Sequence, residues 1–275
     1  MNEKKKTKLV QLFLFLTVLF FFGEFFLGTL GFRIPLKIEF LIFLLPLVTL
    51  LFHSSIVFTF KKTLLLFLLS SLLGLLFEIV GVRSGVVFGG HYAYQREQFD
   101  FFFFGVPLLV PVFWSVFIYI GYSLTTSFLT YLGKDKPSLR GGNLLLLPLL
   151  VILDGLVVVT IDLFMDPVMV YQKKWLWEEG GLYFGIPMGN FIGWFMVTVL
   201  VTGIFRTVEY FRPREDRRCK GIIRFVPGFA YFLIWFFLLT CCWQAQLFQL
   251  ALVGTLVMLP VVFVNLFCLA REKKS

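Results

Sequence analysis

Charged residues, cysteine and histidine are all scarce in this sequence. Only 15% of its 275 residues are charged, and it has four cysteines and two histidines. The cysteines show no CxxC spacing and have no histidine nearby, which argues against a metal site or a disulfide framework, so we expect them to be packing residues. The GxSxG, HExxH and Walker A motifs are missing, and no GxGxxG follows a predicted strand. The sequence therefore offers none of these common catalytic signatures.

Apolar residues are correspondingly abundant. Hydrophobic residues make up 59% of the chain and its mean hydropathy is +0.90, well outside the range of ordinary soluble domains. Eight segments approach the length of about 20 residues that a helix needs to cross the hydrocarbon core. They lie at residues 9–31, 34–53, 64–82, 106–122, 144–163, 189–208, 222–240 and 247–269. Since these runs lack the alternation of a β-barrel, we predict an all-α bundle of about eight transmembrane helices in one integral membrane domain.

The basic residues are distributed unevenly along the chain. If the N-terminus is cytoplasmic, 19 of the 25 basic residues fall in cytoplasmic segments and six on the other side. This asymmetry follows the positive-inside rule, so we expect basic cytoplasmic ends at residues 1–8 and 270–275, a bundle at 9–269, and a location in the cell membrane. It also explains the net charge of +9 without a nucleic-acid partner, because the basic loop at 212–220 can meet anionic lipid headgroups.

Five polar residues interrupt the apolar segments: Glu78, Asp154, Asp162, Asp166 and Asn190. Carboxylates and amides inside hydrocarbon are costly, which makes them functional candidates, although interhelical hydrogen bonding is an alternative role. In the predicted topology all but Asp154 fall in the outer half of the membrane or beyond it, and Asp154 lies nearer the middle of its helix. We therefore predict a pocket that opens toward the non-cytoplasmic surface.

A short motif occurs twice at an offset of 80 residues. The sequence FGVP at 104–107 is followed by Trp114, and FGIP at 184–187 is followed by Trp194. In both copies an acid-bearing helix precedes the motif and a proline opens the returning helix, where its missing N–H costs nothing. The motif indicates a parallel internal repeat with a site between its halves, unless it merely starts two helices.

The carboxylates allow two kinds of chemistry. A Glu78 side chain removed from water would favour its protonated form and could donate a proton near neutral pH, unless it pairs with Arg83. Asp162 and Asp166 are four residues apart and share a helix face if the helix continues that far. They could then share a proton or chelate a divalent ion; alternatively, Asp166 ends the helix before Pro167.

Aromatic residues fill the two outer loops. Tyr92 and Tyr94 lie in the first loop, while Trp175, Trp177 and Tyr183 lie in the second. These side chains could form an aromatic belt at the membrane surface or stack on a polyene or a carbocation. His91, beside the tyrosines, could act as a proton relay or as an interfacial anchor.

Two blocks of the sequence resemble the pattern of a known family. The second block reads Asp166-Pro167, Trp175-x-Trp177, Gly181-x-Tyr183-Phe184-Gly185-Ile186-Pro187, Asn190, Gly193 and Trp194. The first block has Glu78, Gly81, Ser84, Gly85, Phe88 and Gly89. Together they resemble, over residues 72–195, the membrane carotenoid biosynthesis proteins that include carotenoid 1,2-hydratases and bisanhydrobacterioruberin hydratase.

The resemblance implies addition of water to the terminal C1=C2 double bond of an acyclic carotenoid, without a cofactor. An acid would protonate the alkene, and water would capture the tertiary cation. The expected roles are proton donation by Glu78 or Asp162, and orientation of water by Asp166 and Asn190. Asp154 is expected to stabilise the cation or to act as a partner carboxyl group. The expected substrate walls are Tyr92, Tyr94, Trp114, Trp175, Trp177, Tyr183 and Trp194.

Two other classes of protein remain open at this stage. A metal-dependent membrane prenyltransferase would use the Asp162-x3-Asp166 pair, and a non-catalytic carotenoid or lipid carrier would need only the aromatic pocket. Dependence on a metal separates the prenyltransferase from the hydratase. The effect of removing a carboxylate separates either enzyme from a carrier. The expected partners in all cases are a polyisoprenoid and membrane lipid.

Overall fold

Eight long helices dominate the part of the chain that the computed structural model describes, namely residues 3–30, 32, 36–131, 146–212 and 221–271. The helices are α1 (Glu3–Thr29), α2 (Leu36–Val57), α3 (Phe60–Ser84), α4 (Leu109–Tyr131), α5 (Leu146–Tyr171), α6 (Met188–Phe211), α7 (Val226–Gln244) and α8 (Phe248–Arg271). All eight are long and apolar enough to cross a membrane. The predicted all-α membrane bundle is confirmed, and the protein is an integral membrane protein.

Part of the predicted charge asymmetry falls outside the described residues. This is true of Arg33, Lys134, Lys136, Arg140, Arg214, Arg217, Arg218, Lys220, Lys273 and Lys274, and also of Cys219. Among the described residues, Lys62 at the start of α3 bonds Glu209 at the end of α6, which defines one end of the bundle. Glu78 and Asn190 lie at the opposite ends of the same two helices, which we call the outer end.

Several predicted helix ends differ from the observed ones by a few residues, and two of them differ for a clear local reason. Residues 106–107 are not helical, because they form a short strand that pairs with the strand at 102–103, so α4 begins only at Leu109. The fifth helix ends neither at the predicted residue 163 nor at the alternative position before Pro167, but continues to Tyr171. A proline removes one backbone donor without ending a helix when another group bonds the carbonyl left free.

Four short strands complete the outer end. They are β1 (Tyr92–Tyr94), β2 (Phe102–Phe103), β3 (Val106–Pro107) and β4 (Trp175–Trp177). β2 and β3 form a local hairpin, whereas β1 pairs in antiparallel orientation with β4 from the other outer loop. The β1–β4 pairing joins the two outer loops into one cover.

The repeated motif folds the same way in both copies. Phe104 and Phe184 both have φ 50°, and the glycines that follow have φ 87° and 85°. Two consecutive left-handed residues make the tight hairpin turn that favours glycine at its second position. The tryptophans of the two copies also contact each other, since the rings of Trp114 and Trp194 stack with centroids 3.9 Å apart. The two copies therefore contact each other through equivalent side chains.

Two glycines hold the first outer loop against α6. A Cβ atom on Gly189 would lie 2.5 Å from the Cα atom of Gly89, closer than real Cβ contacts. We expect Gly189→Ala to lower the free energy of unfolding by about 1–3 kcal/mol through overpacking, although alanine is normally the better helix former. Gly203→Ala on the same helix is the matched control, because its Cβ would meet nothing nearer than 3.8 Å. Equal unfolding temperatures for the two variants in detergent would contradict the prediction.

Candidate active site

Glu78 is the centre of a buried hydrogen-bond network. The hydroxyl groups of Tyr92 and Tyr94 donate to its Oε2 atom at 2.6 and 2.7 Å, and Trp114 Nε1 donates to Oε1 at 3.0 Å. The side chain is only 3% exposed. The alternative pairing with Arg83 does not form, because the Arg83 guanidinium lies over the ring of Phe104 at 5.1 Å. Glu78 is thus held by neutral donors rather than by a cation.

The hydroxyl groups of Tyr92 and Tyr94 remain hydrogen-bond donors to Glu78. Burial, followed by the nearby charge of Glu78, raises the pKa of Tyr92 and of Tyr94 well above the ordinary value of 10.0. Both hydroxyl groups therefore keep their protons at physiological pH. Sequence reasoning treated these tyrosines as substrate walls or as part of an aromatic belt, and it missed their bonds to Glu78.

Asp162 and Asp166 form the second part of the cluster. The Nδ2 atom of Asn190 donates to Asp162 Oδ2 at 2.9 Å and to Asp166 Oδ2 at 2.6 Å. The expectation that the two acids share a helix face is confirmed, because both lie in α5 and one amide nitrogen bonds both of them. Neither carboxyl group has an ion pair with a described Lys or Arg residue. Since two buried carboxylates in contact cannot both easily ionise, the pair is suited to hold a shared proton.

The donor set at this pair does not fit a divalent cation. The amide nitrogen of Asn190 donates to one oxygen of each carboxyl group, so a hydrogen-bond donor rather than a third ligand oxygen lies next to both acids. Across the described ranges, no group of three or more His, Cys, Asp or Glu side chains is arranged to hold a metal ion. The pair fits a shared proton better than the chelation that the sequence left open.

Four aromatic side chains cover the carboxyl groups. In the β1–β4 ribbon, Tyr92 is opposite Trp177 and Tyr94 is opposite Trp175. The first pair of rings stacks at 5.2 Å, and the second pair meets edge to face at 5.5 Å. His91 precedes this ribbon and is exposed, and its backbone carbonyl accepts a bond from Glu178. The ribbon closes the outer side of the carboxyl cluster.

One large cavity connects this cluster to the interior of the bundle. Its volume is about 1000 Å³, and its wall includes Glu78, Asp166 and Asn190. Most of the remaining wall is apolar and comes from α1, α2, α4 and α7, including Phe21, Phe40, Phe43, Phe113, Phe117 and Phe237. Along α4 the lining runs from Leu109 to Ile120, which is a depth of about 16 Å at 1.5 Å per residue. Part of the phenylalanine content therefore faces this cavity.

Five of the seven expected wall residues line the cavity: Tyr92, Tyr94, Trp175, Trp177 and Trp194. The other two are not among the lining residues. Trp114 stacks on Trp194 and donates to Glu78, while the hydroxyl group of Tyr183 donates to the backbone carbonyl of Leu163 at 2.8 Å. Both residues hold parts of the site in place.

The comparison with protein families gives a match. The model of a family described as "Carotenoid biosynthesis protein" matches residues 37–261, which is most of the chain. The chain belongs to the carotenoid biosynthesis protein family. Neither the curated proteins nor the solved structures give a match. The matched region contains the whole carboxyl cluster, whereas α1 precedes it.

In this carotenoid biosynthesis protein, Asp154 lies apart from the other acids. Its two oxygens accept bonds of 2.6 Å from Arg206 Nε and Nη2, and the guanidinium lies 4.2 Å from the ring centre of Tyr122. The hydroxyl group of Tyr122 continues the network to Glu209, which pairs with Lys62 at 2.8 Å. Asp154 is absent from the cavity wall, so the structure does not bring it to the cluster where the sequence analysis expected it.

The position of Arg206 explains why this ion pair was missed. The 19 basic residues that the sequence analysis placed in cytoplasmic segments include Arg206, but this residue is only 3% exposed within α6 of this family member. A signal was available, because residue 206 falls inside the predicted helix at 189–208. A charged residue within a membrane helix requires a partner, and Asp154 on the preceding helix was the acid without one.

Proposed function

We propose that this carotenoid biosynthesis protein is a hydratase that adds water to the C1=C2 double bond at the end of an acyclic carotenoid. The observation that carries the proposal is the meeting of three buried carboxyl groups with a long apolar cavity under an aromatic cover. An apolar cavity suits a polyene, and the carboxyl groups supply the acid and base that hydration needs. We also propose the cell membrane as its location.

We assign proton donation to the Asp162–Asp166 pair, acting through Asp166. Asp166 lines the cavity, whereas Asp162 lies behind it and bonds the same amide. The shared proton passes from Asp166 to C2 of the alkene and leaves a tertiary cation at C1. The pair is then fully ionised, which favours later recovery of the proton. This assignment departs from the sequence expectation, which named Glu78 or Asp162 as the donor.

Glu78 stabilises the cation in this scheme. Trp114 can only donate a hydrogen bond and both tyrosines keep their protons, so a Glu78 carboxylate can accept all three bonds at once. A fixed negative charge in a site of low dielectric stabilises a developing cation without reorganisation. Trp177 and Trp194 also line the cavity, and an aromatic ring close to the cation adds cation–π attraction.

Asn190 positions the water. Its amide nitrogen is committed to the two aspartates, so its amide oxygen is the atom that remains to accept a hydrogen bond from water. A water oriented in this way directs an oxygen lone pair toward C1. Attack forms the C–O bond, and the proton that the water loses returns to the Asp162–Asp166 pair. One water is consumed, the acid is regenerated, and no redox cofactor takes part.

The test is hydration of an acyclic carotenoid by the full chain. We expect cells that accumulate lycopene and express the protein to produce pigments heavier by one water per modified end, measured by mass spectrometry. Purified protein in ¹⁸O-labelled water should place the label in the product hydroxyl group. Glu78→Gln should remove the product.

Two results would count against the proposal. An unchanged pigment mass with every acyclic carotenoid tried, while the pigment co-purifies with the protein, would favour a carrier. Unlabelled oxygen in the product would mean that the hydroxyl group does not come from water.

A further inference from the structure

We propose that Tyr183 is a positioning residue that sets the geometry of the Asp162–Asp166 pair by bonding a backbone carbonyl that Pro167 leaves without a donor. The inference rests on the proposed function, because it assigns a role within that site. It begins from a proline in the helix that carries both acids.

Pro167 lies inside α5, four residues after Leu163. In an α-helix the N–H of residue 167 would bond the carbonyl of residue 163, but proline has no N–H and its ring crowds that carbonyl. Leu163 lies directly after Asp162 and three residues before Asp166. The missing backbone hydrogen bond therefore falls within the helical turn that separates Asp162 from Asp166.

The hydroxyl group of Tyr183 supplies the missing bond. It donates to the Leu163 carbonyl oxygen at 2.8 Å. Burial and the neighbouring Asp162 raise the pKa of Tyr183 to about 12, so the hydroxyl group remains a donor. The ring is held edge to face against Phe191, and the backbone pairs with Ile186 in the hairpin. The donor is thus presented by a rigid turn.

The same hairpin leads directly into α6 and Asn190. Tyr183 fixes the hairpin to α5, and seven residues later Asn190 bonds both aspartates. The tyrosine bond therefore joins the proline turn of α5 to the residue that holds the acid pair. Loss of the hydroxyl group would free the carbonyl and let the two acids move relative to Asn190.

The first copy of the repeat provides an internal comparison. Phe103 holds the position that corresponds to Tyr183, one residue before the turn phenylalanine. The preceding helix of that copy, α3, contains no proline, so its backbone bonds need no outside donor. The hydroxyl group occurs in the copy that has a proline and not in the copy that lacks one.

The experiment is a cycle of four proteins: the wild type, Tyr183→Phe, Pro167→Ala and the double variant. Alanine at 167 restores the backbone N–H, which makes the tyrosine bond dispensable. We expect Tyr183→Phe to lower kcat for hydration by up to about 10²-fold, the cost of misplacing reacting groups by about 1 Å, with little change in KM. The same substitution in the Pro167→Ala background should cost far less. Tyr171→Phe, at an exposed tyrosine at the end of α5, is the matched control.

A second readout does not depend on activity. The infrared C=O stretch of the protonated acid pair, identified by its loss in Asp162→Asn, should shift in Tyr183→Phe and return toward the wild-type position in the double variant. An equal loss of kcat in both backgrounds, or an unchanged band in Tyr183→Phe, would overturn the inference. If the wild type hydrates no carotenoid while the band follows the cycle, the proposed function fails and the positioning role stands.

Discussion

Replacing Asp166 with asparagine is expected to lower the rate of hydration by about 10²- to 10⁴-fold, the usual contribution of a general acid. Asparagine has nearly the same shape and can still accept the bond from Asn190, so the cavity wall should be preserved. The substitution removes the proton that Asp166 would deliver to the alkene. Asp162→Asn is expected to act in the same direction, since it removes the partner that shares the proton.

The control for this experiment is Glu179→Gln. Glu179 is an exposed residue of the second outer loop that does not line the cavity, and its carboxyl group is replaced by an amide as at Asp166. Each variant is compared with the wild type for carotenoid products by mass spectrometry and for thermal unfolding in detergent. Retention of most of the activity in a well-folded Asp166→Asn variant would transfer the donor role to Glu78, which the sequence analysis also considered.

The second large effect is expected at the ion pair between Asp154 and Arg206. Asp154→Leu would leave a guanidinium group buried without its carboxylate, a change that typically costs 3–5 kcal/mol of unfolding free energy. The double variant Asp154→Leu/Arg206→Met should recover most of that loss, because apolar residues often replace a buried ion pair at little cost. Chemical denaturation in detergent measures both changes.

This pair of variants also decides what Asp154 does. If the double variant folds as stably as the wild type and hydrates carotenoids at a similar kcat, then Asp154 serves the fold. Hydration that fails in the stable double variant would restore the catalytic role that the sequence analysis assigned to Asp154. The separation is possible because Asp154 is absent from the cavity wall.

Much of the architecture was predictable because the membrane imposes strong rules on the sequence. The eight helices follow from apolar length, and the shared face of Asp162 and Asp166 follows from their spacing of four residues. The cost of a carboxylate in hydrocarbon identified Glu78 as a candidate before any contact was known. These inferences use only the spacing of residues along the chain and the hydrophobicity of the segments that contain them.

The remaining features depend on how helices rotate against each other, which periodicity in one segment does not define. The bond from Trp114 to Glu78 joins α3 to α4, and the bonds of Arg206 to Asp154 join α6 to α5. In α5, the carbonyl that Pro167 leaves without a backbone donor accepts a bond from a hydroxyl group that lies 16 residues after the proline in the chain. Such contacts belong to the tertiary structure, so they were missed or assigned to other roles.

For the proposed hydratase, the cavity has a consequence for the order in which products form. An acyclic carotenoid has two ends, whereas Glu78, Asp166 and Asn190 form one cluster on the wall of one cavity among the described residues. A rod-shaped molecule that places one end at this cluster keeps its other end away from it. To be hydrated twice, the molecule has to leave, reverse its direction and bind again. The singly hydrated carotenoid should therefore accumulate before the doubly hydrated one, and its lifetime should lengthen as the supply of fresh substrate rises.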